Sequence, residues 1–353
     1  MISRYGRIEN NSNIIYIMTQ ANFKPRIDLE NRTKLETVLP LQTPFVIFID
    51  PSDACNFKCS FCPTGDADLM KEVGRPLKQI PWDLYKKIID DICEFEDKVR
   101  VIRLYKDGEP LLNKNFANMV RYAKESGCCD RVDTTTNASL LTEAKGIEIA
   151  EAGLDRINIS IEGMNEQQYL DFSGYHLKSF SEIVNNVANF HKNKGNCEMI
   201  VKITGDSLSD DQKKEFVDTF GPIADGIWIE SVMSCWPEFE LRGGVVVNQE
   251  RGIYGQPIKE VSVCPYPFYS FSINPEGTAS LCFLDWGRKL LIGDVNTQSV
   301  KDIWHGEEMR RYRLMFLNGE RKNHPVCGGC GQMTHGQPDN VDPYALDLKS
   351  KYE

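Results

Sequence analysis

Twelve cysteines punctuate the 353-residue chain, and seven of them fall into two groups whose spacing could hold metal. Cys55, Cys59 and Cys62 form CxxxCxxC within SDACNFKCSFCPTG. Three thiolates from one short loop can ligate three irons of a four-iron cluster, leaving the fourth iron open for chemistry. A zinc knuckle short of its fourth ligand would use the same residues, although zinc loops favour CxxC pairs with further His or Cys partners. The second group is Cys264, Cys282, Cys327 and Cys330, two single cysteines and a CGGC pair. Four thiolates suffice for a fully ligated cluster or for a structural zinc site. Cys93, Cys128, Cys129, Cys197 and Cys235 remain and read as small buried hydrophobes. Cys235, after the sixth strand, lies closest to the expected active side. The five histidines show no metal-spaced pair, and His305 and His324 read as surface or packing residues.

Such loops need a frame. From Phe45 onward, short β-rich runs alternate with segments of helical period, the pattern of βα units around a parallel sheet. Six strands are expected, beginning near Phe45 (FVIFID), Val99 (VRVIRLY), Arg131 (RVDTTTN), Arg156 (RINISIE), Glu198 (EMIVKIT) and Gly226 (GIWIES). Pro81 at a first-turn position precedes Tyr85, Ile88, Ile89 and Ile92, one apolar stripe at i, i+3, i+4, i+7. Ser179 with Glu182 and Ser209 with Gln212 fit capping boxes, and Gly195 and Gly221 stand where helices stop. Alternation along the strands gives each a polar face: Asn158, Ser160 and Glu162 against Ile157, Ile159 and Ile161, and likewise Arg103 with Tyr105, Lys202 with Thr204, and Trp228 with Glu230. A closed barrel of this kind would fill its interior with Val, Ile and Leu. A polar interior instead predicts an α/β fold, a partial (βα)6 TIM-like barrel open enough for a polar cofactor and substrate. An antiparallel sheet with one solvated side is the bland alternative, and interleaved helices argue against it.

The expected divisions are an N-terminal extension over 1–44, the barrel over 45–235, a Gly/Pro-punctuated connection over 236–263 (beginning with WPEFELRGG), a small cysteine-bearing domain over 264–336 and a polar tail over 337–353.

With these motifs in place, the first cysteine loop, with Phe61 just before its last cysteine, resembles the radical S-adenosylmethionine superfamily. The segments CPYPFYSFSINPEGTASLCFLDW, IGDVNTQSVKDIWHG and CGGC resemble that group's C-terminal SPASM/Twitch extension. The single set of four cysteines is similar to the Twitch form, with one auxiliary cluster. What the resemblance implies is two [4Fe–4S] clusters, with S-adenosyl-L-methionine on the open iron of the first and cleaved to a 5′-deoxyadenosyl radical. Carried over by position, Phe61 would lie against the adenine, Gly108 and Glu109 of YKDGEP would hold the methionyl ammonium, Thr136 and Asn137 would line the third strand's end, and Ser160 with Glu162 would meet the ribose. Asp107 replaces the first glycine of the usual GGEP turn. A flavodoxin- or ferredoxin-like electron donor is implied as well.

Order and spacing of all seven cysteines are similar to the 2-deoxy-scyllo-inosamine dehydrogenase type of Twitch enzyme. The implied reaction is oxidation of a small polyol, aminocyclitol or sugar, with Arg103, Lys202 and Glu230 as the polar groups meeting it and the auxiliary cluster as electron acceptor. Peptide or protein side-chain modification, and redox-neutral sugar epimerisation, stay open. A net charge of −10 disfavours a nucleic-acid partner. The start, MISRYGRIENNSN, has no apolar h-region and no apolar run reaches the length of a membrane span, so a cytoplasmic protein without a membrane partner is expected.

Overall fold

The computed structural model describes residues 5–9, 14–18, 21–242, 247, 250–336 and 339–353. Parts of the N-terminal extension, the Gly243–Gly244 end of WPEFELRGG, and Gln337 and Pro338 of the expected tail lie outside the described residues.

Strands are β1 Tyr5–Glu9, β2 Ile14–Met18, β3 Asn22–Phe23, β4 Val46–Ile49, β5 Val99–Arg103, β6 Cys129–Thr136, β7 Arg156–Ile161, β8 Glu198–Thr204, β9 Gly226–Glu230, β10 Ser270–Ile273, β11 Thr278–Ser280 and β12 Leu291–Asp294. Helices are α1 Ala67–Glu72, α2 Trp82–Ile92, α3 Phe116–Ser126, α4 Glu143–Glu151, α5 Glu166–Ser173, α6 Phe180–Asn193, α7 Asp210–Phe220, α8 Val300–His305, α9 Glu307–Leu317, α10 Gln332–His335 and α11 Ala345–Tyr352. β4 to β9 run parallel in chain order, the six expected strands, joined by helical crossovers as parallel neighbours require. The sheet does not close: its order is β12-β11-β10-β4-β5-β6-β7-β8-β9-β3. An α/β partial barrel is therefore the architecture, and the apolar strand faces meet the helices. Ile157, Ile159 and Ile161 are 0–2% exposed, as are Tyr85, Ile88, Ile89 and Ile92 of α2.

Sheet register sets the interior face. Arg103 stands opposite Asp133, Asp133 opposite Arg156 and Arg156 opposite Glu198, so one level of the barrel carries alternating charge across four strands. Above it come Thr135 opposite Asn158, then Ser160 opposite Lys202 and Lys202 opposite Trp228, then Thr204 opposite Glu230. Because side chains alternate in a strand, all of these share the concave face.

Several expectations need correction. The C-terminal strands, whose sheet no sequence pattern assigned, join the barrel: β10 pairs in parallel with β4, Ser270 with Val46 through Ile273 with Ile49, so the second cysteine region is welded to the barrel edge. The 337–353 segment is not a polar tail. Among its described residues α11 packs on α9, with Leu348 1% exposed and Arg310 donating to the Tyr352 carbonyl at 2.7 Å. Pro81 sits one place before α2, at its cap, where its fixed φ and missing N–H still suit the helix start. Ser209 and Gln212 make the reciprocal capping box, whereas Ser179 accepts only from Ser181 and its Glu182 does not return the bond. Gly195 has φ of 57°, a left-handed stop, but Gly221 stays right-handed and leads α7 into a tighter turn. Among the described residues no helix is long and apolar enough to cross a membrane.

Candidate functional site

Cys55, Cys59 and Cys62 lie on the loop leaving the C-terminal end of β4, over the mouth of the barrel. That loop is pinned by main chain on every side. Lys58 N–H donates to the Ser173 carbonyl and Ser60 N–H to the Phe172 carbonyl, at 2.6 and 2.9 Å, so the end of α5 holds one flank. Arg242 crosses it from the connection, donating to the Cys59 carbonyl at 3.0 Å while its own N–H reaches the Ser60 carbonyl at 3.1 Å. On the other flank the DGEP turn presses in: Glu109 N–H donates to the Ala54 carbonyl at 2.9 Å, and an added Cβ on Gly108 would overlap the Ser52 and Ala54 carbonyl oxygens. Gly65 is equally confined, since a methyl added there would fall 2.5 Å from the Cys59 carbonyl. Burial is the main force pushing the Cys55 thiol up to about 12, followed by the nearby Glu109, Cys62 and Glu162 charges. Cys59 is raised by burial and then by Glu162, Cys62 and Cys55, so the three sulfurs and Glu162 share one small region. Such sulfurs become thiolates when a metal cation takes the proton's place.

Glu109 is 2% exposed and already well served. One carboxylate oxygen accepts from Leu111 N–H at 3.0 Å and Thr136 hydroxyl at 2.7 Å, the other from Asn137 N–H at 2.9 Å. Ionised carboxylates offer about four acceptor directions, so one remains for a cationic ligand. Asn137 in turn donates to Asn56 Oδ1 at 3.0 Å, and Asn56 donates to Ser139 at 2.8 Å, tying the residue after Cys55 to the end of β6. Thr136 is thus spent on Glu109 and on Ala138 N–H, while Thr135 and Asn158, on the concave face, each keep a buried oxygen without a hydrogen-bond partner. Ser160 and Phe61 are half-buried. Strand alternation alone could have separated Thr135 from Thr136; nothing in the sequence pointed to Asn56.

Asp107 has a role no motif supplied. It is 4% exposed, lies 2.6 Å from Lys106 and 2.5 Å from Arg288 of the β11–β12 connection, and donates its N–H to Asp50. Burial favours its neutral form, but the Lys106, Arg288 and Arg75 cations outweigh it and hold the carboxyl well below the usual range. Asp50 goes the other way: burial first, then the Asp107 charge, push it up to about 8. Arg288 also reaches Asp53 at 3.3 Å and Glu276 at 3.1 Å, so one guanidinium ties the cysteine loop, the DGEP turn and the C-terminal region together.

Lys202 and Glu230 come together, 2.5 Å apart, with Arg26 3.7 Å from the same carboxylate. Burial would raise Glu230, but Lys202 and Arg26 lower it. Glu162, above them, is pushed up to about 7, mainly by burial, with Lys202 opposing and Glu230 adding to the rise. Arg103 stands apart on the cleft floor, 3.4 Å from the Tyr105 hydroxyl.

The four later cysteines come from three separate segments, two single cysteines and the CGGC pair, and line one cavity, with Leu281, Leu284, Leu290, Phe316 and Met333 completing an apolar wall. Among the described residues no three His, Cys, Asp or Glu side chains close on a single ion-sized point. The thiols instead ring a shared space, and four cysteine sulfurs are a donor set that fits an iron–sulfur cluster. Leu284 N–H points at Cys282 sulfur, 3.4 Å away, and buried Arg321 binds the Ser262 and Cys327 carbonyls at 2.8 Å each, locking two of the segments. His324 is not idle surface: its ring nitrogen accepts from Val326 and Cys327 N–H at 3.3 and 3.2 Å. Cys235 lies between the two cysteine groups; its thiol, pushed up to about 12 chiefly by burial, feels both Cys330 and Cys62, and Cys330 sulfur is 3.8 Å from its carbonyl. From the DGEP turn to this cavity runs an aromatic wall: Tyr105 to Phe48 at 5.7 Å, Phe48 stacked on Phe283 at 4.7 Å, and Phe283 to Tyr266 at 5.1 Å between ring centroids.

An open parallel sheet with a tri-cysteine loop at its strand ends, and a four-cysteine cavity welded to its edge, defines a class of two-centre iron–sulfur protein. The radical SAM superfamily model matches residues 49–217, and the iron-sulfur cluster-binding SPASM domain matches residues 264–331. The chain is a radical SAM superfamily enzyme with a SPASM domain, and its cofactors are a [4Fe–4S] cluster with S-adenosylmethionine and further iron–sulfur in the SPASM region. The S-adenosyl-L-methionine-dependent 2-deoxy-scyllo-inosamine dehydrogenase of Niallia circulans is 22% identical over 297 residues, 84% of this chain and 96% of that protein. A GTP 3′,8-cyclase of Brucella ovis is 32% identical over 148 residues, but only 37% of this chain and 40% of the cyclase take part. Among solved structures, BtrN in complex with AdoMet and 2-DOIA matches with a TM-score of 0.52 at 19% identity, covering 84% of this chain and 97% of BtrN. Native anSMEcpe with bound AdoMet matches with a TM-score of 0.58 at 12% identity, over 88% of this chain and 96% of that one.

Proposed function

We propose that this enzyme dehydrogenates a small hydroxylated substrate, a sugar or cyclitol, within the barrel cleft. Cys55, Cys59 and Cys62 would hold the catalytic cluster, and Cys264, Cys282, Cys327 and Cys330 a single auxiliary one. Bound there, the first cluster and S-adenosylmethionine supply a 5′-deoxyadenosyl radical that takes a hydrogen atom from carbon. The chain's own residues do the positioning. Gly108 lets the DGEP backbone lie against the cysteine loop, Glu109 keeps one acceptor direction for the methionyl ammonium, and Asn137, Ser160, Glu162 and Phe61 complete the cofactor's surroundings. Lys202 donates and Glu230 accepts, so the pair can orient hydroxyls, with Arg103 below them. Oxidising a carbinol also releases one electron, and the observation carrying this reading is the aromatic wall joining the DGEP turn to the four-cysteine cavity. A flavodoxin- or ferredoxin-like protein would supply the reducing electron that starts turnover.

The test is anaerobic turnover with carbon-deuterated cyclitols and sugars. Deuterium in 5′-deoxyadenosine together with a carbonyl product supports the reading; deuterium transfer without any carbonyl contradicts it. One observation favours a second reading, redox-neutral epimerisation: the half-buried Cys235 between the two cysteine groups could return a hydrogen atom to the opposite face of the carbon, the resulting thiyl being restored by one electron and one proton from the same class of carrier. Solvent deuterium in an epimerised product, lost in Cys235→Ala, would select it over oxidation.

A further inference from the structure

The floor of the barrel cleft carries more positive charge than its carboxylates neutralise. This cleft is lined by Arg26, Arg32, Arg103, Arg131 and Arg156 from the concave face and its N-terminal flank, with Arg100 at its edge. Arg32 is paired with Asp339, and Arg26 shares Glu230 with Lys202. At the level of the charged row the balance fails. Arg131 takes Asp133 at 2.8 Å, Arg156 takes Glu198 at 3.2 Å, and Lys24 pairs with that same Glu198. Four cations, counting Arg103, therefore share two carboxylates.

Arg103 is the one left over. Among the described residues no carboxylate lies within ion-pair distance of it; its partners are the Tyr105 hydroxyl at 3.4 Å and the Phe48 ring at 5.2 Å, and its buried Nε has no hydrogen-bond acceptor. Asp28, which also borders the cleft, is turned back onto its own loop, accepting from Glu30 and Asn31. The nearest counter-charge, Asp133 opposite it in register, is bound directly by Arg131, so the Arg103 guanidinium keeps donors free, and its planar fork fits phosphate or carboxylate in two parallel hydrogen bonds. The surplus is conspicuous in a chain of net charge −10, where a cationic concavity concentrates anions against the prevailing sign.

We infer that the substrate carries an oxyanion, a phosphate or carboxylate on a hydroxylated ring or chain, and that Arg103, backed by Arg131 and the Tyr105 hydroxyl, is the residue that selects for it. This rests on the small-hydroxylated-substrate reading above and sharpens it: the hydroxylated carbon would face Lys202 and Glu230 while the anionic end sits on the floor, away from the cysteine loop. Arg103 acts here as a specificity determinant, a salt-sensitive anchor.

The experiment is equilibrium binding, which needs no turnover. Anaerobically reconstituted full-length protein with S-adenosylmethionine is titrated calorimetrically with myo-inositol, myo-inositol 1-phosphate, glucuronate and inorganic phosphate. An anionic probe is expected to bind roughly 10- to 100-fold more tightly than myo-inositol, with the advantage shrinking as salt rises. The phosphate and carboxylate arms tell which oxyanion fits. Arg103→Gln should bring the advantage to about threefold or less, and Arg103→Lys should restore part of it, because charge returns without the fork; melting curves confirm that both fold. Equal binding of myo-inositol, myo-inositol 1-phosphate and glucuronate, or an anion preference unchanged in Arg103→Gln, overturns the inference. Failure of carbonyl formation in the turnover assay would bear on the dehydrogenase reading alone.

Discussion

The two cysteine sites are built in opposite ways. Cys55, Cys59 and Cys62 arrive on one loop, and the fold's work there is to clamp a local structure from three directions with backbone. The four later cysteines are spread from Cys264 to Cys330 and meet only because β10 pairs with β4, α9 turns back, and Arg321 bolts two segments together. A local site depends on close approach, an assembled one on long-range packing. Perturbations should therefore separate them.

The largest expected effect is at the local site: Cys59→Ala should bring reductive S-adenosylmethionine cleavage under dithionite to background while iron attributable to the second site is retained. Next is Gly108→Ala, which forces a methyl into two carbonyl oxygens. Overpacking of this kind costs about 1–3 kcal/mol, and the strain falls on the turn against the cysteine loop, so calorimetric affinity for S-adenosylmethionine should fall at least tenfold with the second site's iron unchanged. Arg288→Met breaks the comparison on purpose, since that guanidinium serves both regions. It leaves Asp53 and Asp107 without their shared partner, a loss of about 3–5 kcal/mol in buried settings, and melting temperature and both iron contents should drop together.

Legibility followed the same local-versus-assembled divide. Strand periodicity located all six barrel strands and the concave polar face, because side-chain alternation is a property of a few consecutive residues. It could not show that β10 would extend the barrel sheet, nor that ALDLKSKY, at the end of a segment that reads as polar, would become α11 with Leu348 and Tyr352 buried on α9. At the site, the CxxxCxxC loop and Glu109 were visible as motifs. The Asn56–Asn137–Ser139 bridge and the Asp50–Asp107–Arg288 network were not, since each joins residues tens to hundreds of positions apart. Asp107 shows why: in sequence it is a departure from GGEP, in the fold it is the partner of an arginine 181 residues away.

A smaller effect is a pH dependence of stability. Asp50, pushed up to about 8, and Glu162, pushed up to about 7, hold protons in the folded state that the unfolded chain has released above about pH 4. Both contributions are fully present below about pH 4 and gone once pH has risen through the folded values, so the melting temperature should fall between about pH 4 and pH 8. Asp50→Asn should flatten that slope. Asp107, held low, opposes only below about pH 4 and leaves this window untouched. Smallest of all, His324→Ala removes an acceptor from two N–H groups beside Cys327 and should cost about 1 kcal/mol, read as faster iron loss from the second site with S-adenosylmethionine cleavage unaffected.

The central claim, that the assembled site takes the electron released at the local one, is tested most directly by Cys330→Ala. Reconstituted anaerobically, shown by melting to be folded and by iron analysis to keep the first cluster, this variant should cleave S-adenosylmethionine at near wild-type rate while losing most carbonyl product. Carbonyl formation at the wild-type rate in a folded variant lacking the second cluster would contradict the account.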